Sequence, residues 1–353
     1  MLNVGLVGAG WWAHHAHLPA IRSHPEARLV AATDPDPERL ASATALDPGV
    51  RGFPSVAEML AAADLDVVVV ASPAAFHADA ARAALLAGAG VLVEKPFTLH
   101  AAEARELVEL AASRRLALSV SLPYQYTRAA RAVRSLLAQG ELGSLVAVHG
   151  VFESYTAPLY AGDVDEYLRR VDRPHAVAPL PGTYADVALS GGGHGQSQTS
   201  HIVSALFDAT DAHPERIAAE SAFLAPRMDI ANTLSLRLKG GAVVGIFSSG
   251  ETLPRQPAQQ TITYLGTRGV ARHDLALATL DWALAGGDAE RVEPGEGESA
   301  YPNGEPVRAL IDAVLAARAG RGDAARELTE GAGRAARAVE VIERIYRDEP
   351  VDV

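Results

Sequence analysis

Residues 67–71 read VVVVA. An unbroken apolar run rich in β-branched side chains has no polar face to turn to water, so it reads as a strand covered on both sides. That requirement shapes the first third of the chain. Short apolar runs predict strands over Asn3–Val7, Arg28–Thr33, Val67–Ala71, Gly90–Val93 and Ala117–Ser121. Ala-rich helical patterns fall between them, over Trp11–Ser23, Pro37–Leu46, Val56–Ala63, His77–Ala87 and Ala101–Arg114. Strands alternating with helices at this spacing predict a doubly wound, parallel, Rossmann-type sheet.

The pattern changes after residue 122. A helix is expected over Arg128–Ala138, a strand over Leu145–Phe152, and a long irregular segment over about 153–189. The Gly191-Gly192-Gly193 break precedes a helix near Ser200–Phe207. Strands follow at Arg216–Phe223, Asn232–Lys239, Ala242–Ser249, Thr261–Leu265 and Gly269–Asp274. Residues 286–305 read as a solvated loop, and Val307–Ala319 and Arg334–Tyr346 as closing helices. Consecutive strands with short turns predict an α+β domain with a large open, mostly antiparallel sheet. The expected division is a dinucleotide-binding domain at 1–122 and a substrate-binding and oligomerisation domain at 123–353, whose last helix can pack back on the first.

The formal net charge of -12 argues against a nucleic-acid or anionic-membrane partner. The chain has no cysteine, which excludes thiolate chemistry and disulfides. No basic leader or long apolar run stands at the amino terminus, so a cytoplasmic protein is expected.

Gly8-Ala9-Gly10-Trp11-Trp12-Ala13 follows the first strand and opens the first helix. It fits G-x-G-x-x-G/A. Gly8 permits the tight turn, Gly10 lets backbone approach a pyrophosphate, and Ala13 lets helix pack closely on strand. The helix N-terminus offers free N–H groups to phosphate. Asp34 ends the second strand, where a carboxylate binds ribose hydroxyls. A carboxylate repels a 2′-phosphate, so NAD is favoured over NADP; Arg39 is the nearby cation that works against this. Ligands in such sheets sit outside the carboxyl ends of the strands. Ala71, Ser72, Pro73, His77 and Glu94-Lys95-Pro96 are therefore expected to converge there. His14, His15 and His17 cluster on the first helix without an acidic or thiolate partner at ligand spacing, and no metal is expected.

Taken together, GAGWWAHHAHLPA at 8–20, ASPAAFH at 71–77, EKP at 94–96, GGGHGQSQTSH at 191–201 and the closing AVEVIERIYRDEPV resemble the Gfo/Idh/MocA family, the glucose–fructose oxidoreductase and inositol dehydrogenase group. The resemblance implies that Lys95 lies beside the nicotinamide and the substrate hydroxyl. There an ammonium stabilises a forming alkoxide or relays its proton. It implies that Glu94 orients the loop and cofactor ribose, that Pro96 fixes the backbone through a commonly cis bond, and that Trp11 and Trp12 line the nicotinamide and substrate entrance. It also implies a catalytic stretch in which an Asp precedes a His by four residues. The histidine is present as His201, but Ser197 stands at the Asp position and Ser204 where a further Asp often lies. His201 then acts as general base without that carboxylate, helped by neutral groups such as Gln198.

Tyr184 offers a phenolic acid or a pocket wall. Tyr124, Tyr126, Tyr155, Tyr160 and Tyr167 are candidates for a wall against sugar C–H surfaces, and Arg169, Arg170, Arg173 and His175 give the 153–189 segment a basic patch. The leading expectation is NAD(P)-dependent hydride transfer to or from a sugar, cyclitol or related polyol, by a homo-oligomer (dimer or tetramer). Two alternatives stay open: redox-neutral, NAD-dependent glycoside cleavage, and a non-catalytic dinucleotide sensor.

Overall fold

Six strands build the first sheet: β1 (Leu2–Val7), β2 (Ala27–Thr33), β3 (Arg51–Phe53), β4 (Val67–Val70), β5 (Gly90–Val93) and β6 (Leu118–Val120). Their order is β3-β2-β1-β4-β5-β6, and every neighbouring pair is parallel. Chain order reverses between β1 and β4, which makes the carboxyl ends of these strands the switch point of a doubly wound sheet. All four valines of β4 are fully buried, as a strand covered on both faces requires. This computed structural model describes residues 1–171, 177–253 and 256–347.

The chain divides into two compact units. One comprises Met1–Ser121, Pro174–Thr183 and Asn303–Ala336; the other holds Leu122–Arg173, Tyr184–Pro302 and Arg337–Val353. Helix Glu305–Arg318 clusters with the first unit. Its Val307, Leu310 and Ile311 share a core with Leu2, Val4, Leu6, Val67 and Leu92. The apolar stripe of that helix is visible in sequence, but a stripe does not say which sheet it covers.

The second unit carries eight strands: β7 (Leu145–Glu153), β8 (Pro214–Ala225), β9 (Met228–Leu238), β10 (Val243–Ser249), β11 (Gln260–Gly266), β12 (Gly269–Asp274), β13 (Thr279–Leu284) and β14 (Ala289–Val292). They are ordered β14-β13-β12-β11-β7-β10-β9-β8. Only the β7–β10 pair is parallel. Helices Arg128–Ala138 and Ser200–Thr210 contribute Val133, Ile202, Leu206 and Phe207 to the core over this sheet, beside Phe152 and Tyr264.

Two expectations need correction. Residues 286–305 are not simply a loop, because β14 lies within them. Its Glu290 and Arg291 disguise it, yet charges are what an edge strand needs to discourage further pairing. The 153–189 segment is not irregular throughout: it contains helices Ala157–Tyr160, Val164–Val171, Pro181–Ala185 and Val187–Ser190. Short Pro- and Gly-punctuated helices held by tertiary contact leave little periodic signal. The helix expected over Trp11–Ser23 is present, with a π-helical turn at Ala13–His17. Arg173 and His175 lie outside the described residues. Arg169 and Arg170 are paired with Glu166 at 2.6 and 2.8 Å, on a solvated helix.

Candidate active site

At the mouth of the first sheet, β1 delivers the chain to Gly8, whose φ is +88°. A Cβ there would lie 2.6 Å from the Ser72 backbone nitrogen, so glycine is demanded by both conformation and space. Gly10 has only the Arg39 guanidinium near its missing Cβ, at 3.3 Å. The Asp34 carboxylate is buried beside this turn. Its Oδ2 accepts the Ala9 N–H at 2.7 Å and its Oδ1 accepts the Asp36 N–H at 2.9 Å. Each oxygen keeps a lone pair for a ligand hydroxyl. Asp36 caps helix Pro37–Thr44 and stands 3.8 Å from Arg39.

Ser72 and Pro73 follow β4 and lead into the helix His77–Leu86. The Ser72 Oγ is buried and has no hydrogen-bond partner among the described residues. The His77 ring is clamped, with Nδ1 2.8 Å from the Pro96 carbonyl and Nε2 2.8 Å from the Ser72 carbonyl. Burial pushes this imidazole below its ordinary range, against the pull of those two carbonyls and of Glu94. His77 thus joins the loops after β4 and β5 and has both ring nitrogens engaged.

Glu94 ends β5 in a buried position. Its Oε1 accepts from His17 Nε2 at 2.9 Å, and its Oε2 accepts the Lys95 backbone N–H at 3.1 Å. Burial alone would raise the Glu94 carboxyl. The hydrogen bond and charge interaction with His17, with the Lys95 charge after them, outweigh it and hold the group below its ordinary value. Burial pushes the Lys95 ammonium down, opposed by Glu94. The Lys95–Pro96 peptide bond is cis. Trp11 and Trp12 meet edge to face with centroids 5.3 Å apart, and Trp12 also meets His15 at 5.3 Å. The three clustered histidines diverge: His14 turns to the Gly10 carbonyl, His15 to Trp12 and His17 to Glu94.

In the second unit, a π-helical turn over Gly195–Thr199 runs into helix Ser200–Thr210 and places Ser197 and His201 one turn apart. His201 is buried among Tyr124, Phe152 and Tyr301, with ring centroids 5.4, 5.9 and 5.7 Å away. The Tyr301 hydroxyl lies 3.4 Å from its Nε2, and Tyr124 donates to Gln260 Oε1 at 2.8 Å. Ser197 Oγ meets the buried Tyr160 hydroxyl at 2.5 Å, and Tyr160 donates onward to Thr156 at 2.8 Å. Burial raises the Tyr160 phenol far above its ordinary value, so it stays neutral. His194 stands 3.4 Å from the same hydroxyl and 2.7 Å from Ser248 Oγ, and burial pushes its imidazole down to about 3.

The glycine-rich loop ahead of Ser197 is filled by the protein's own groups. Gly193 and Gly195 donate to the buried Asp229 carboxylate at 3.0 and 2.6 Å, and Tyr346 donates to it at 2.6 Å. A Cβ on Gly193 would come within 2.1 Å of the Asp229 carbonyl oxygen. Asp229, Tyr346, His194 and Tyr301 escape a reading of the sequence because nothing local marks them. Among the expected wall tyrosines, Tyr124 reaches His201, while Tyr160, Tyr167 and Tyr184 gather around Leu159 and Met228. Tyr126 ends the turn Pro123–Tyr126, Tyr155 donates to the Gln256 carbonyl, and Gln198 is half-buried.

Residues 2–122 match the family model GFO_IDH_MocA, described as an oxidoreductase family with an NAD-binding Rossmann fold. Over residues 2–122 the chain is thus similar to the NAD-binding domain of the Gfo/Idh/MocA oxidoreductases. Over 158 residues it is 35% identical to the inositol 2-dehydrogenase of Leifsonia xyli subsp. xyli, covering 44% of this chain and 46% of that one. Over 173 residues it is 32% identical to dTDP-3,4-didehydro-2,6-dideoxy-alpha-D-glucose 3-reductase of Streptomyces violaceoruber, covering 48% and 49%. The chain thus spans about half the length of these curated relatives. A crystal structure of an inositol dehydrogenase homolog complexed with NAD+ from Azotobacter vinelandii superposes with a TM-score of 0.78 at 20% identity, over 98% of this chain and 96% of that one. At that identity the likeness speaks for the fold alone, which the two chains share along their length. Among the described residues no three His, Asp or Glu side chains gather as metal ligands, and no helix is long and apolar enough to cross a membrane.

Proposed function

We propose that the protein is an NAD-dependent dehydrogenase or reductase acting on a CH–OH group of a sugar, cyclitol or related polyol. The observation that carries this reading is Lys95: a lysine at the end of β5, next to a buried carboxylate held charged, in an NAD-binding Rossmann domain. The names of the relatives, inositol 2-dehydrogenase and a dTDP-sugar 3-reductase, support the substrate class.

The residues at the mouth of the first sheet fit a dinucleotide. The turn at Gly8 and Gly10 leaves backbone open to phosphate, Asp34 presents lone pairs for ribose hydroxyls, and the buried Ser72 Oγ has a hydrogen bond to give. Bound NAD supplies a hydride acceptor or donor. Arg39 borders the ribose position, and Trp11, Trp12 and Pro73 border the nicotinamide. Glu94, Pro96 and His77 fix the loop that carries Lys95. The Lys95 ammonium stabilises the substrate oxygen as its proton leaves. His201 accepts or returns that proton from within its aromatic cluster. Tyr124, Tyr126, Tyr184, Ser197 and Gln198 form the neutral wall that binds hydroxyl groups. In this reading the first unit is the dinucleotide-binding domain and the second the substrate-binding and oligomerisation domain. Cross-strand neighbours Val243, Ala147, Leu265 and Val270 form a row on one sheet face, and three of them are exposed large apolar residues, which supports self-association.

The test is NAD reduction against a panel of free sugars, inositols, sugar acids and glycosides, with His201→Ala alongside. Turnover on a polyol, lost in the variant, is expected. NAD binding without turnover on any panel member would overturn the dehydrogenase reading in favour of a sensor or a redox-neutral lyase.

A further inference from the structure

Lys95 and Lys239 are the only lysines in the chain, and Lys239 is exposed just beyond β9. Apart from the histidines, the other basic residues are arginines, whose guanidinium does not give up its proton, whereas a buried lysine can. What surrounds it is fixed on both sides. One Glu94 oxygen accepts from His17 Nε2, and the other accepts the backbone N–H of Lys95 itself. His17 is fully buried, and its Nδ1 has no hydrogen-bond partner among the described residues. The ring therefore reaches the carboxylate through Nε2 alone and fixes the orientation of Glu94 beside Lys95.

We propose that His17 is a positioning residue which, through Glu94, keeps the Lys95 ammonium charged and fixed at the end of β5. Glu94, following β5, acts on the ammonium by its charge, His17 on the first helix holds Glu94, and His77 holds the neighbouring Pro96 carbonyl. Burial works to discharge the lysine, and the Glu94 charge works against burial. Without His17, Glu94 loses the donor that offsets its own burial. The inference rests on the reading of Lys95 as the proton-handling group, but it can be tested without turnover.

The experiment is a pH titration of protein carrying 13C at the lysine ε carbons, followed by NMR without substrate or NAD. Two signals are expected, assigned with Lys239→Arg, and Lys239 serves as the internal reference. His17→Leu should lower the Lys95 midpoint by about one pH unit, about tenfold in proton affinity. His17→Gln, whose amide nitrogen can replace Nε2 as donor, should restore it, and Lys239 should not move. In a Glu94→Gln background His17→Leu should add nothing. An unchanged Lys95 midpoint in folded His17→Leu overturns the proposal. If that variant does not fold, His17→Asn takes its place, because its shorter amide reproduces the Nδ1 position rather than Nε2; equal midpoints for Asn and Gln then overturn it. A shifted midpoint in a protein that turns over no substrate would support the brace and leave the dehydrogenase reading to fail by itself.

Discussion

The mouth of the first sheet and the start of helix Ser200–Thr210 handle buried polarity in opposite ways. At the first, charge is kept: Glu94 and Lys95 adjoin, and His17 steadies the carboxylate. At the second, charge is avoided. Ser197 stands where the family resemblance implies a carboxylate, Tyr160 meets it as a neutral phenol, and burial holds His194 neutral. The buried Asp229 carboxylate is spent on the glycine loop and Tyr346. A buried charge must be paired or hydrogen-bonded on every side, whereas hydroxyls satisfy one another in chains. In the proposed reading the first region handles one proton and one charge, and the second recognises uncharged hydroxyl groups.

The largest expected effect breaks the charged side. Lys95→Met keeps most of the side-chain volume and removes the ammonium. Turnover should fall by about 100- to 10,000-fold, the range for losing a positioned acid–base group. NAD affinity, read by fluorescence quenching, should change far less. A modest loss of turnover with a large loss of NAD affinity would make Lys95 a cofactor anchor instead.

Next comes acid stability, which probes the neutral side. His194 and His273 are both buried, with burial pushing them to about 3 and about 4 from an ordinary 6.5. Their folded values lie below the unfolded one, so the unfolded chain binds protons first. Stability should fall as pH drops from about 6.5 towards 4, by on the order of 3 kcal/mol for His273 alone. Both His273 ring nitrogens lack partners among the described residues. His273→Leu should therefore raise the melting temperature and flatten the loss between pH 7 and pH 4. An unchanged slope would show that the ring reaches water.

How much of this was legible in the sequence follows from where each signal resides. Val67–Val70, Gly8, Gly10, Asp34 and Glu94-Lys95-Pro96 could be read because strand, turn and charge are written in consecutive residues. The antiparallel sheet was legible as far as β12. β13 has an alternating apolar face in Leu280, Trp282 and Leu284 but is a short run, whereas the edge strand β14, with its charges facing water, lacks one. The partners of Ser197 and His201 were hidden for another reason. Tyr160 comes from 37 residues before Ser197, and Tyr301 from 100 residues beyond His201. Contacts at such separation are made by the fold and leave no spacing to detect.

A smaller effect sharpens the neutral side. Tyr160→Phe deletes the hydroxyl shared by Ser197 and Thr156 and leaves buried groups short of a partner, which costs about 1–3 kcal/mol of stability. Because Tyr160 sits behind Ser197, KM for a hydroxylated substrate should rise while kcat changes little. A fall in kcat at constant KM would put Tyr160 among the proton-handling groups.

The smallest effect returns to the charged side and concerns cofactor choice. The Asp34 carboxylate is held by two backbone N–H groups, so its position is set without any neighbouring cation. Asp34→Asn keeps the shape but turns one acceptor into an N–H, which then faces a backbone donor. A stability loss of about 1 kcal/mol should follow. Removal of the charge lifts its repulsion of a 2′-phosphate, while Arg39 remains next to Gly10 with Asp36 as its closest recorded acid at 3.8 Å. The preference for NAD over NADP, measured as a ratio of kcat/KM, should narrow about tenfold, equivalent to about 1.4 kcal/mol. Adding Arg39→Ala should restore much of the preference, because the cation that attracts the phosphate is then gone. If Asp34→Asn leaves the ratio unchanged, discrimination lies in the shape of the turn rather than in the carboxylate, and charge matters at this mouth only around Lys95.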